Sequence, residues 1–345
     1  MGIDFVKYPQ FDLATFPRGK RNLISDVTGV KVGHVTLIEG TARTGVTAIL
    51  AHGGNLFREK VPAACHVING FGKSTGLVQV EELGTIEAPI IITNTLSVGT
   101  CVTGLVKYML SENPEIGVTT GTVNSVVMEC NDAGLNEIRA LHVKESDVVD
   151  AIESACNDFQ EGSFGAGTGM SCYGLKGGVG SASRVVTLDS NDYVVGAILV
   201  TNFGQTSDLT STCGNIGYEI KRKLTSTEEA DKGSVIIVIA TDAPVSDRQL
   251  KRMCKRAQSG LARTGTISGN GSGDIALAFT TSRKIEHFYE KEISPAFCEL
   301  TEDSIDKVLR ATIEVVQESV YSSMLHSKTT IGYSGKVLNS LSDLI

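Results

Sequence analysis

The chain has 345 residues, 41% of them hydrophobic and 20% charged, with 37 glycines, no tryptophan and a formal net charge of −8. That length and apolar content suffice for one large domain or two moderate ones with a buried core. The acidic balance excludes a nucleic-acid backbone as partner, since phosphates need a basic face.

No apolar run approaches the ~20 residues that span a bilayer, and Asp4, Lys7, Asp12 and Arg18 interrupt the start where a signal peptide needs an apolar stretch. The eight cysteines contain no C-x-x-C pair and read as reduced thiols, which fits a cytoplasmic protein. The six histidines show no H-x-x-x-H spacing and no Cys/His cluster, so neither a metal nor another cofactor is expected. Glycine at this level, without a collagen period, predicts many tight turns and close backbone approaches.

In chain order, residues 1–25 read as an extended arm with Pro9 and Pro17. Val27–Leu37, Val46–Leu50, His66–Ile68 and Ile90–Thr93 read as short strands. Val98, Val102, Leu105 and Met109 recur at helical spacing and predict a helix over 98–110. Thr122–Met128 is a β-branched apolar run, and Ser146 reads as the cap of a helix with Val149, Ile152 and Cys156 on its inner face. Arg184–Leu188 and Tyr193–Thr201 form a strand pair joined by a turn at Asp189–Asp192.

Residues 225–233 read as an exposed linker, followed by Val235–Ala240, an unbroken apolar run typical of a strand buried on both faces. Ser246 and Gln249 make a capping box for a helix reaching 264, with Lys251, Arg252, Lys255 and Arg256 on its solvated side. Asp274–Thr281 is a further strand, and Ser304–Met324 an amphipathic helix with its stripe on a sheet. The pattern predicts an α+β domain of large sheets with helices outside, a layered sandwich.

Several stretches invite nucleotide or triad readings and fail on spacing. Gly70-Phe-Gly-Lys-Ser-Thr75 ends like a phosphate loop, but Val67 stands where the first glycine is needed. Gly165-Ala-Gly-Thr-Gly169 leads into no helix, so it reads as a tight loop where two backbones approach. No G-x-S-x-G elbow exists, and Ser272 in Asn270-Gly-Ser-Gly273 falls one residue short of it.

A serine without a histidine has one other base, its own α-amine once the chain is cut before it. Such an amine has a pKa of about 7.7–8.0 and is partly neutral near physiological pH. A small residue before the nucleophile, a linker upstream and a rigid strand downstream are the requirements. Gly233–Ser234 meets all three. Strand 235–240, helix 246–264 and strand 274–281 form a β-α-β unit whose strands run parallel, which brings Ser234, Ser272 and Asp274 to one sheet edge. Ser272 is then a candidate relay, and Asp274 a candidate partner for a protonated amine.

These residues stand among ordered blocks running from Gly29-Val-Lys-Val-Gly-His34 to the C-terminal helix. The blocks are Thr93-Asn-Thr-Leu-Ser-Val-Gly99, Glu129-Cys-Asn-Asp132 and Gly165-Ala-Gly-Thr-Gly-Met170 with Lys176-Gly-Gly178. Thr201-Asn202-Phe-Gly204, Ala240-Thr-Asp-Ala-Pro244 and Asn270-Gly-Ser-Gly-Asp274 continue the series. Over nearly its whole length the sequence resembles the L-aminopeptidase/D-esterase family, which includes the β-peptidyl aminopeptidases. The resemblance implies a four-layer α-β-β-α sandwich like that of the N-terminal-nucleophile hydrolases, with different connectivity.

It also implies a precursor that cleaves the Gly233–Ser234 bond, giving an α-chain 1–233 and a β-chain 234–345 of one hydrolase domain. Ser234 becomes the nucleophile, supported by Ser272 and Asp274, and Asn202 helps bind the oxyanion. Glu129 matches an acid suited to a substrate ammonium. Asn131 lies in the substrate pocket where some relatives carry an aromatic residue, and Lys73 stands where the family pattern has an acid. Short peptides, amino-acid amides and esters are the implied substrates, and a homo-oligomer, with a tetramer favoured, the implied assembly. Two other readings remain at this point: an acyltransferase of similar layered fold, and a non-catalytic, unprocessed family member.

Overall fold

The computed structural model describes residues 2–224, 233–289, 292–293 and 297–345, so of the linker expected over 225–233 all but Gly233 lies outside the described residues. In chain order the long strands are β1 (Lys31–Leu37), β2 (Thr44–Leu50), β3 (Glu59–Gly70), β4 (Ile90–Asn94) and β5 (Val126–Cys130), then β6 (Val179–Leu188), β7 (Asn191–Asn202), β8 (Ser234–Thr241) and β9 (Gly273–Thr280). The long helices are α1 (Val98–Glu112), α2 (Glu145–Glu153), α3 (Asp247–Ala262) and α4 (Ile305–Leu325).

Strands β1-β2-β4-β5 form one sheet, and β3-β9-β8-β7-β6 form the body of the other. Three apolar cores separate four layers. One packs α1 and α2 on the first sheet, one lies between the sheets, and one packs α3 and α4 on the second sheet. This is the α-β-β-α sandwich.

Strand alternation explains why the β8 sequence has no polar face. Val235, Ile237 and Ile239 join the core under the helices, while Ile236, Val238 and Ala240 join the core between the sheets. All eight residues of β8 are buried. The Ser246 capping box is present, its hydroxyl accepting from the Gln249 N–H. The crossover through α3 makes β8 and β9 parallel, as the β-α-β spacing predicts.

Other expectations shift. The helix assigned to a Ser146 cap begins at Glu145, because the Asp147 carboxylate takes the Lys144 N–H at 2.8 Å. Its buried face is consequently Val148, Ala151 and Ile152, whereas Cys156 is exposed. The hairpin between β6 and β7 closes in only two residues, Asp189 and Ser190, both with positive φ (46° and 65°), as a primed turn requires. The strand read at 122–128 forms four residues later at its start, as β5. The stripe read on the last helix is incomplete, since every residue from Glu314 to Leu325 is buried. The N-terminal arm covers its outer side, where Phe11 meets Tyr321 with ring centroids 4.7 Å apart.

An ion cluster locks that arm down. Arg184 of β6 is fully buried and donates to Glu314 at 2.7 Å and to Glu318 at 2.6 Å, both on α4. Arg18 of the arm reaches Glu318 at 3.2 Å. Replacing Arg184 with Met should leave Glu314 without its cation and Glu318 with Arg18 alone, and cost about 3–5 kcal/mol. Urea denaturation reads the loss directly, and a change below about 1 kcal/mol would contradict the role given to the cluster.

Candidate active site

The ends of three neighbouring strands define the site. Ser234 opens β8, and its register partners are Asn202, the last residue of antiparallel β7, and Gly273, the first residue of parallel β9. Gly70 at the end of β3 pairs with Gly273 on the far side. One lateral row thus runs Asn202, Ser234, Gly273, Gly70.

The row is tight because glycines line it. A Cβ on Gly233 would stand 2.0 Å from the Asn202 carbonyl oxygen and 2.5 Å from Phe203 Cα. A Cβ on Gly273 would stand 2.7 Å from the Phe71 carbonyl oxygen. The Gly233 carbonyl accepts a hydrogen bond from the Gly273 N–H at 3.2 Å. That contact falls on the carbonyl immediately before Ser234.

Ser234 itself is buried, and its hydroxyl has no hydrogen-bond partner among the described residues. It shares the inter-sheet face with Ile236 and Val238, beside the buried Cys130 thiol at the end of β5. Burial holds that thiol well above its ordinary range, so Cys130 is a neutral neighbour.

Ser272 donates to Asp274 Oδ1 at 2.5 Å, and both side chains are buried. Asn69 of β3 fixes the loop before them, donating to the Gly269 carbonyl at 3.1 Å and to that of Ser272. Alternation along β9 puts Asp274 in step with Ala276 and Ala278, toward the helices, and Gly273 in step with Ile275, toward the other sheet. The fold therefore gathers Ser272, Asp274 and Ser234 at one edge but does not hydrogen-bond the pair to the serine hydroxyl.

Asn202 is held at both ends of its amide. Its Oδ1 accepts from the Ser171 N–H at 2.9 Å, and its Nδ2 donates to the Asn131 carbonyl at 2.9 Å. The Asn131 side chain is turned away into a local turn, where Oδ1 accepts from the Ala133 N–H at 3.0 Å. So the contact of Asn131 with the site runs through its backbone. The Ser171 loop is anchored by Lys176, fully buried, whose Nζ donates to the carbonyls of Gly167, Met170 and Gly177 at 3.0, 3.1 and 2.6 Å. Burial pushes the Lys176 pKa down to about 7.

Glu129 of β5 is buried, and no ion pair reaches it among the described residues. Neutral donors hold it: the Lys73 N–H at 2.8 Å on Oε1 and the Thr95 hydroxyl on Oε2. A buried carboxylate with two neutral donors and no cation is set up to receive one.

Among the described residues no group of three or more His, Cys, Asp or Glu side chains could hold a metal ion, and no helix is long and apolar enough to cross a membrane. A cavity of about 560 Å³ lined by Lys20, Arg21, Glu161 and His326 contains none of these residues and lies apart from the chemistry.

Comparison with known proteins follows the same lines. The family described as "Peptidase family S58" matches residues 22–338. A β-peptidyl aminopeptidase BapA from Sphingosinicella microcystinivorans is 35% identical over 347 aligned positions, covering 94% of this chain and 86% of that protein. Among solved structures, a Pyrococcus horikoshii OT3 protein superposes with a TM-score of 0.93 at 50% identity, covering 97% of this chain and 95% of that one. The L-aminopeptidase D-Ala-esterase/amidase of Ochrobactrum anthropi superposes with a TM-score of 0.89 at 32% identity over the same shares. That enzyme is described as a prototype for the serine aminopeptidases and a new variant of the N-terminal-nucleophile hydrolase fold.

Several residues carry the site without having been singled out from sequence: Gly273, Asn69, Thr95 and Asp132. Asp132 lies in the Glu129–Asp132 block, and no spacing argument gave it a role. It is fully buried; Asn136 donates to its Oδ1 at 3.0 Å, and Oδ2 has no hydrogen-bond partner among the described residues. Burial, with a smaller push from Glu129, raises its pKa to about 7. The protonated acid is thus favoured in the fold relative to the unfolded chain, whose Asp titrates near ~3.9. Stability from this group is complete below about pH 4 and declines as pH rises through about 7. Against an Asp132→Asn variant, wild type should lose up to about 4 kcal/mol between pH 4 and pH 8. Urea denaturation of both proteins at the two pH values checks this; a pH-independent difference would contradict it.

Proposed function

The chain belongs to peptidase family S58 and is a serine aminopeptidase of variant N-terminal-nucleophile fold, and on that premise we propose that Ser234 is its nucleophile, released by cleavage of the Gly233–Ser234 bond into chains 1–233 and 234–345. The observation that carries this reading is the Gly273 N–H on the Gly233 carbonyl, directly beside a serine hydroxyl with no hydrogen-bond partner among the described residues. A donor aimed at a carbonyl oxygen polarises it and steadies the negative charge that attack creates.

In the precursor, Ser234 Oγ adds to the Gly233 carbonyl carbon, and the Ser234 nitrogen leaves with a proton. The resulting ester between Gly233 and Ser234 Oγ is hydrolysed by water, which leaves a Gly233 carboxylate, a free hydroxyl and a free α-amine. Glycine at 233 lets this carbonyl lie against the Asn202 backbone without a clash. Departure of the Gly233 carbonyl frees the Gly273 N–H for the next acyl group.

In the mature enzyme the α-amine accepts the Oγ proton as Ser234 attacks the first peptide bond of a substrate. Gly273 N–H and the Asn202 amide serve the oxyanion, each worth about 3 kcal/mol. Asp274, backed by Ser272, balances the positive charge on the amine. Glu129 holds the substrate ammonium, which limits cleavage to N-terminal residues, and Asn131 bounds the pocket through its carbonyl. Short peptides are the substrates; amides and esters extend the class, and a cytoplasmic homo-oligomer, with a tetramer favoured, completes the reading.

A purified Ser234→Ala protein should run as one uncut band of 36.5 kDa and show no aminopeptidase activity, where wild type gives two chains. Normal cutting of that variant would overturn the assignment. Gly233→Ala should slow self-cleavage at least tenfold, because its methyl collides with the Asn202 carbonyl. Time-resolved denaturing gels of freshly expressed protein read this, and cleavage at the wild-type rate would refute the tight-approach argument.

A further inference from the structure

The loop after β3 carries a lysine that nothing in the fold requires. Lys73 is exposed and its ammonium makes no hydrogen bond or ion pair among the described residues; Nζ rests 4.4 Å above the ring of Phe71, itself 62% exposed. Its backbone is nevertheless tied to the site, because the Lys73 N–H bonds Glu129 Oε1 at 2.8 Å.

The preceding residues press on the catalytic row. The Phe71 N–H bonds the Ser272 carbonyl at 3.2 Å, and a Cβ on Gly273 would stand 3.1 Å from Gly72 Cα. Residues 71–73 therefore form a wall that runs from Gly273, the partner of Ser234, to Glu129. The opposite lip carries Leu96, half-exposed, next to the Thr95 that bonds Glu129.

From this geometry we propose that Lys73 recognises the C-terminal carboxylate of a dipeptide, so that free dipeptides are preferred over dipeptide amides. The inference rests on Ser234 as nucleophile and Glu129 as the ammonium site. With the ammonium at Glu129, the scissile carbonyl belongs to the first residue. A dipeptide's carboxylate then lies one residue further, at about 3.5 Å per residue of extended chain. Two residues span roughly 7 Å, a distance the lysine's flexible four-carbon stem can bridge from a backbone already bonded to Glu129. The Phe71 ring lies under the ammonium at 4.4 Å and offers the stem an apolar support while leaving Nζ open to an anion. In a protein of net charge −8, an unpaired cation here also favours approach of an anionic end.

The test uses the processed enzyme and matched pairs of dipeptide and dipeptide amide, with Ala-Gly, Leu-Gly and β-Ala-Gly as first probes. Lys73→Ala should raise KM for the free dipeptide about tenfold and leave kcat and the amide's KM near wild type. Lys73→Glu should raise it further, and Lys73→Arg should restore it. High salt should narrow the wild-type preference, because the contact is solvent-exposed. Equal effects on acid and amide, or none on either, overturn the role of Lys73 while leaving the nucleophile intact. Absence of self-cleavage and of turnover of every probe by wild type would instead reject the reading beneath it.

Discussion

A parallel ladder makes two strands start at the same edge, and here the β8–β9 ladder sets Ser234 opposite Gly273. Everything proposed for the chemistry depends on that register. It directs the Gly273 N–H to the carbonyl before Ser234, and it leaves the serine hydroxyl buried with no hydrogen-bond partner among the described residues. A slip of one residue would turn the Ser234 side chain from the inter-sheet face to the helix face and remove both features. Val235, Ile237 and Ile239 pack in one core and Ile236, Val238 and Ala240 in the other, so such a slip would have to repack both close-packed cores at once.

The proposed recognition belongs to the other sheet, β1-β2-β4-β5. Its β4–β5 edge delivers Glu129 and Thr95, and the loop after β3 crosses from one sheet to the other to reach them. In the proposed mechanism this division of labour gives exopeptidase chemistry, because a carboxylate with no cation on it among the described residues, at a fixed reach from the nucleophile, admits only a chain that begins there. Placing that carboxylate on a different sheet from the serine makes the spacing a property of the inter-sheet core, which does not flex as a loop would.

Much of this was legible in the sequence because it is periodic or punctuated. The apolar run at 235–240, the Ser246–Gln249 box and the glycine before Ser234 fix a strand, a helix start and a small residue, and together they imply the parallel crossover. Asn69, Thr95 and Asp132 were not legible as site residues, since their partners lie far along the chain and no period links them. The burial of α4 on its outer side escaped for a similar reason: the covering arm is joined through Arg184 and Phe11, contacts that no local pattern encodes. Alternation also shows what edge convergence left open, namely that Asp274 and Ser234 share an edge and not a face.

In the proposed mechanism one nitrogen, that of Ser234, must become a free amine for the serine to have a base. Intact-mass measurement with N-terminal sequencing of the active protein addresses it directly. Every active preparation should contain a polypeptide beginning Ser-Val-Ile-Ile from residue 234. Full activity from a single unbroken chain of 36.5 kDa would contradict it.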